Sequence, residues 1–198
     1  SSVFTVDTQS YGTMVIRATG ASSESAQNSF KIKPQVYSVL PTEGTVGTVV
    51  SIKGNGYAVI DVITVAFGTN SNIKKANANS YGSFETTFTV DTQVYGLTNI
   101  IATGTSSESA AGSFFIRANV YRVSPIKGTV GSQVVVSGTG YAAGDTIRVD
   151  FGKTLNIQSA AADGIGKFQT SLVVDVQAYG STTIKATGVS SEAAVNSF

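Results

Sequence analysis

SPIKGTVGSQVVVSGTGYAAGDTIRVDFG occupies residues 124–152. Turn-forming residues at 127–131 precede a valine-rich run at 133–137, a glycine-bounded loop fills 138–144, and an apolar–polar alternation follows at 146–151. Alternation with a period of two marks strands half buried on one face, and glycine clusters mark the bends between them. Reading outward gives a preceding strand at 120–124, a short extra strand at 155–160 and a turn at 163–166. Further strands follow at 168–174 and 182–186, and a turn at 189–192 leads to a last strand ending at Phe198. About seven short strands with turns every 8–12 residues predict an all-β immunoglobulin-like sandwich. No stretch has helical periodicity.

The same pattern stands earlier as LPTEGTVGTVVSIKGNGYAVIDVITVAFG at residues 40–68, an offset of 124 − 40 = 84 residues. VDTQSYG (6–12), VDTQVYG (90–96) and VDVQAYG (174–180) keep that offset, since 90 − 6 and 174 − 90 are both 84. Residues 4–114 lie over 88–198 without an insertion. A string written three times at fixed spacing belongs to each unit of an array rather than to a single active site. The periods predict a C-terminal remnant of a preceding repeat at 1–33, one sandwich at 34–117 and another at 118–198. The remnant holds too few strands to bury a core alone, so it is expected to pair with other sequence. Linkers of so few residues are expected to keep successive units in contact.

Composition removes whole chemistries. The 198 residues contain neither cysteine nor histidine, which excludes disulfides, thiolate nucleophiles, zinc–thiolate sites and the commonest neutral-pH general base. The net charge of +1 provides no basic field for nucleic acid. No apolar run approaches the length of a membrane-spanning helix, so membrane insertion is not expected. The 25 serines, 24 threonines and 21 glycines beside 41% apolar residues read as β-sheet with tight turns in a secreted protein.

The P-x-x-G-x-x-G, V-x-V-x-G-x-G-Y and V-x-F-G runs in residues 40–68 and 124–152 resemble the opening of IPT/TIG-type immunoglobulin-like domains. DGIGKFQTSLVV, at 163–174, is similar to the N/D-G-x-F strand starts of tandem repeats in secreted bacterial and archaeal surface-layer and biofilm-matrix proteins. The resemblance implies a non-enzymatic extracellular or cell-surface role as spacer, adhesin, surface-layer component or matrix polymer, with neighbouring repeats and other copies of the chain as partners. It also implies calcium as a possible ligand. A glycan- or protein-binding adhesin module, and an accessory domain of a secreted carbohydrate-active enzyme, are the competing classes.

Carboxylates are the only reactive groups in quantity, and several recur at the period: Asp7/Asp91/Asp175, Asp61/Asp145 and Glu24/Glu108/Glu192, with Asn79/Asp163 keeping the oxygen but not the charge. Strand polarity places Asp61, Asn79, Glu108, Asp145, Asp163 and Glu192 at the end where a sandwich begins, and Asp91 and Asp175 at the opposite end, with Asp7 holding the same place in the preceding repeat. In an array, Asp91 would then approach Asp145, Asp163 and Glu192, and Asp7 would approach Asp61, Asn79 and Glu108. Converging oxygens of this kind suit calcium. The alternative is that each acid caps a turn through its own side chain. The repeated tyrosines Tyr37/Tyr121 and Tyr57/Tyr141 are expected to be buried and to anchor sheet ends through their hydroxyls, rather than to stack on sugars.

Overall fold

The computed structural model describes residues 3–198, so the first two residues of the expected 1–33 remnant lie outside the described residues. Every regular element among the described residues is a strand. β1 (Gly12–Thr19) and β2 (Ser25–Ile32) form an antiparallel hairpin. The middle period contributes β3 (Gln35–Leu40), β4 (Glu43–Gly44), β5 (Val49–Asn55), β6 (Val62–Phe67), β7 (Asn70–Asn77), β8 (Phe84–Thr89), β9 (Gly96–Thr103) and β10 (Ser109–Ile116). The last period contributes β11 (Asn119–Ser124), β12 (Gln133–Thr139), β13 (Thr146–Phe151), β14 (Thr154–Ala161), β15 (Phe168–Val173), β16 (Thr183–Gly188) and β17 (Ala193–Ser197).

The last period folds into one sheet of order β11-β12-β15 and another of order β14-β13-β16-β17. The middle period repeats this as β3-β5-β8 and β10-β9-β6-β7, with the two-residue β4 added parallel to the end of β10. Each is an immunoglobulin-like sandwich, all-β as expected, in which the extra strand lies on the sheet that carries the last two strands. β7 and β14 are edge strands, and their lysines, asparagines and glutamines leave them largely exposed, which suits an unpaired border.

Alternation sets the cores. In β13, Ile147, Val149 and Phe151 are buried while Thr146 and Arg148 face outward. They join Val134, Val136, Tyr141, Phe168, Leu172 and Ile184 in one apolar cluster. Each such aliphatic or aromatic residue, fully buried, contributes roughly 1.5–3 kcal/mol.

The chain divides into two compact units. One comprises the described residues up to Pro41 with Val50–Phe88 and Asn99–Ser113, the other Thr42–Val49, Thr89–Thr98 and Phe114–Phe198. The compact units therefore cut across the sequence periods. Each contains most of the strands of one sandwich together with the D-x-Q-x-Y-G loop written in the preceding period, the second unit also taking β4 and the ends of β9 and β10.

One expectation is corrected here. Tyr37 and Tyr121 are exposed rather than buried. Both sit where the register of the first strand slips, between Val36 and Ser38 and between Val120 and Arg122. A bulge leaves its extra residue unpaired and re-aims the side chain.

Candidate functional site

Each unit presents a socket built from two turns. In the second unit Tyr141 of the G-x-G-Y-A loop is buried, its hydroxyl donates to the Ala186 carbonyl at 3.3 Å, and its ring meets Phe168 edge-on at 5.1 Å. Burial raises the Tyr141 phenol above its ordinary pKa, so it stays protonated and donating. The Tyr141 N–H donates to the Gly166 carbonyl at 3.1 Å. Gly166 has φ +77°, and a Cβ there would stand 2.2 Å from the Tyr141 carbonyl oxygen, so only glycine closes this turn. Asp163 holds the same turn, accepting the N–H groups of Ile165 at 3.0 Å and Lys167 at 2.9 Å. The first unit repeats the arrangement. Tyr57 donates its hydroxyl to Ala102 at 3.1 Å and its N–H to Gly82 at 3.0 Å, and Asn79 accepts the N–H groups of Tyr81 and Ser83.

The outward carbonyl of the socket tyrosine then receives the recurring loop as a plug. In the first unit the Tyr11 N–H donates to the Tyr57 carbonyl at 2.8 Å, and in the second the Tyr95 N–H donates to the Tyr141 carbonyl at 3.1 Å. Side chains lock each plug differently. The Tyr11 hydroxyl donates to Glu108, Lys31 pairs with Glu108 at 3.4 Å, and the Lys31 ammonium lies 5.2 Å from the Tyr11 ring centre. The Tyr95 ring packs edge-on against Phe115 at 5.3 Å, and the Arg117 guanidinium, 5.4 Å from the Phe115 ring, bridges Glu43 at 2.7 Å and Glu192.

The Asp and Gln of the loop hold its shape. Gln9 donates to Asp7 at 2.7 Å, Gln93 to Asp91 at 2.9 Å and Gln177 to Asp175 at 2.7 Å. Gln177 also donates to the Phe151 carbonyl at 3.3 Å, which ties the loop to the turn after β13. The hydrogen bond from Gln177, followed by that from Thr154, lowers the Asp175 pKa.

The recurring loops and the recurring acids take different places in the structure. The 90–96 loop does reach the end carrying Asp145, Asp163 and Glu192, but Tyr95 makes the contact, and Asp91 accepts from its own loop. The carboxylate convergence expected around Asp91, and around Asp7, does not form: among the described residues no three acids come together as a metal site. The physical reason is that protein donors engage them where they stand. Asp61 accepts the N–H and hydroxyl of Thr105. Asp145, 8% exposed, accepts the N–H and hydroxyl of Ser190 at 2.9 Å each and the hydroxyl of Ser191 at 3.1 Å. Burial alone would raise the Asp145 pKa, but these three bonds outweigh it and the net shift is downward. Asn79 and Asp163 cap turns, and Glu108 and Glu192 meet cations. What sequence reasoning missed is the backbone N–H of the loop tyrosine. The signal was present in the triple recurrence of D-x-Q and Y-G together, because an i, i+2 Asp–Gln pair is a loop staple.

No family model matches the chain, and no curated protein matches it by sequence. Among solved structures it is similar to the BSP domain of a biofilm-associated protein, at 17% identity over 84% of this chain and 28% of that one, with a TM-score of 0.30. It is also similar to the Yersinia pseudotuberculosis adhesin InvE, at 11% identity over 83% of this chain and 57% of that one, TM-score 0.38. A central fibronectin-III array of RIM-binding protein matches at 12% identity over 84% of this chain and 68% of that one, TM-score 0.33. The chain thus spans well under two thirds of the first two structures. Likenesses this distant carry no argument about activity or partners.

Proposed function

We propose that the chain is a length of an extracellular structural polymer, of matrix, surface-layer or adhesin type, whose IPT/TIG-like beads are joined by plug-and-socket contacts. It has no catalytic role in this reading, and neighbouring repeats are its partners. One observation carries the proposal: the same backbone hydrogen bond, loop tyrosine N–H to socket tyrosine carbonyl, recurs at the 84-residue period in both compact units. A contact repeated with the period belongs to the period's job, and in repeat proteins nearest-neighbour contacts set the stiffness of the string. Among the described residues no helix is long and apolar enough to cross a membrane.

Pulling the chain by its ends tests this reading. Load-bearing beads give force peaks separated by the extension of one period, about 28–30 nm for 84 residues at ~3.3–3.6 Å each. A featureless extension would overturn it.

A second reading, a glycan-binding module, is favoured by the exposure of Tyr37 and Tyr121 at equivalent positions. Glycan-array binding that disappears in Tyr37→Ala/Tyr121→Ala would support it. Calcium bridging is a separate proposal that rests on the recurrence of the acids. A rise in melting temperature with calcium over chelator would support it.

A further inference from the structure

Two strands hold the same place at the border of their sheets and differ in charge. β7 reads NSNIKKAN and β14 reads TLNIQSAA, 84 residues apart, so Lys74 and Lys75 of the first stand where the second has Gln158 and Ser159. β14 contains no charged residue and no proline. Both strands show the same alternation of exposed and half-buried positions. β7 lies in the middle period, with sequence continuing on either side, so the openness of this border belongs to the sandwich itself.

Backbone alternation fixes what β14 offers. Ala162 donates its N–H to the Asp145 carbonyl at 2.8 Å, so the backbone groups of Ala160 and Gln158 face β13, and those of Ile157, Ser159 and Ala161 face away from it. Among the described residues no strand pairs on that side. The Ser159 N–H donates instead to the Gln158 side-chain oxygen at 3.0 Å, and the Gln158 amide donates to the Ser171 carbonyl of β15 at 3.0 Å. A row of outward N–H and C=O groups is a template for another strand, and lysines are a common guard against it. β7 is guarded in this way, whereas β14 covers its outward N–H with a flexible neutral amide. Before this stretch the strand bends: Asn156 has φ 52° and its N–H donates to Asp150 at 2.8 Å. The straight part of the border is therefore 157–161.

We propose that β14 pairs edge to edge with β14 of a second copy of this chain, antiparallel about Ser159, so that two four-stranded sheets become one. In that register Ser159 faces its own copy and Ile157 faces Ala161 of the other, so every outward backbone group of 157–161 meets one that faces it. A strand that pairs with itself makes an isologous contact, closed by a two-fold axis. Charge selects the border. Pairing β7 with itself would bring Lys74 and Lys75 of both copies together, and like charges on facing strands oppose such a contact, whereas β14 brings only neutral side chains. The small side chains of Ser159 and Ala161 leave the approach clear, and Gln158 yields its bond with the Ser159 N–H to a backbone carbonyl. In the array reading this adds a link between chains to the contacts within one.

The chain contains no cysteine, so disulfide trapping tests the register on the full chain. Ser159→Cys places a thiol at the two-fold axis opposite its own copy, with Cα atoms about 5.5 Å apart, a separation that a disulfide spans. Leu155→Cys lies four residues off the axis, which sets two such thiols about 25 Å apart. Lys75→Cys stands at the counterpart position on β7. Under mild oxidation at equal concentration, S159C is expected to form covalent dimer at least about tenfold faster than L155C or K75C. Sedimentation velocity up to millimolar concentration is expected to show a dimer of the wild type, and Gln158→Lys with Ser159→Lys, which copies the β7 border and so suits the sandwich, should weaken it at least about tenfold. Equal oxidation rates of the three cysteine variants, a wild type that stays monomeric throughout, or a dimer indifferent to the two lysines overturns the proposal. Force peaks from single pulled chains do not depend on contact between copies, so this proposal and the array reading fail separately.

Discussion

The β1–β2 and β9–β10 hairpins share residues at nine of their sixteen strand positions 84 places apart, yet their surroundings differ. Ile16 is 37% exposed where Ile100 is 0%, and Phe30 is 44% exposed where Phe114 is 0%. Both pairs of strands form, so the local pattern suffices for the hairpin. Burial, which supplies most of the stability, comes from a partner sheet, which among the described residues covers β9–β10 and not β1–β2. The contrast separates what a sequence segment encodes by itself from what an assembly adds.

The largest effect should follow from cutting the same methylenes out of both places. Ile100→Ala removes buried contacts and should cost about 2–5 kcal/mol, whereas Ile16→Ala should cost within about 0.5 kcal/mol, as a surface change does. Urea unfolding followed on each variant measures both. Equal losses would mean that the first hairpin is covered as fully as the second.

Next come the two turns of the socket. Gly166→Ala forces a Cβ against the Tyr141 carbonyl at a φ of +77°, and should cost at least about 1–3 kcal/mol while loosening the Tyr95 plug. Asp145→Ala leaves Ser190 and Ser191 without their acceptor and should cost about 1–3 kcal/mol. Amide hydrogen exchange at Tyr95 tells the two apart, because only the glycine change should speed it.

How much of this was legible follows from the same contrast. The strands, the period and the burial of Tyr57 and Tyr141 were readable because alternation and glycine spacing act locally. Tyr37 and Tyr121 were misread because a bulge is a mismatch between two strands, invisible in either alone. The partners of the acids were illegible for a related reason. Recurrence showed that Asp61/Asp145 and Asn79/Asp163 matter, but not that their partners are N–H and hydroxyl groups on turns that fold back onto them.

Those partners predict an acid-sensitive fold. Glu108 is held below its ordinary 4.5 chiefly by the Tyr11 hydroxyl, with Lys31 adding to it. Asp145 and Asp175 lie below 3.8 for the reasons given above. A carboxyl whose pKa is lower in the folded state contributes stability above its unfolded value and loses it as pH falls through the folded one. With no histidine in the chain, the melting temperature should be level from about pH 5 to 8 and should fall below about pH 4. A decline already present between pH 7 and 6 would contradict these assignments.

The smallest effect concerns one cross-strand position filled differently in the two sandwiches. Lys53 pairs with Glu85 at 3.0 Å, while the period counterparts Ser137 and Gln169 share a hydrogen bond at 3.4 Å between directly opposed residues of β12 and β15. An exposed ion pair gains little over a neutral one because water already solvates both charges and salt screens what remains. Replacing Lys53 and Glu85 together by serine and glutamine should therefore change stability by less than about 0.5 kcal/mol, whereas Glu85→Lys sets two lysines across the strands and should cost up to about 1 kcal/mol at low salt. That cost should shrink in high salt. If it persisted there, the pair would be acting through packing of the Lys53 stem rather than through charge.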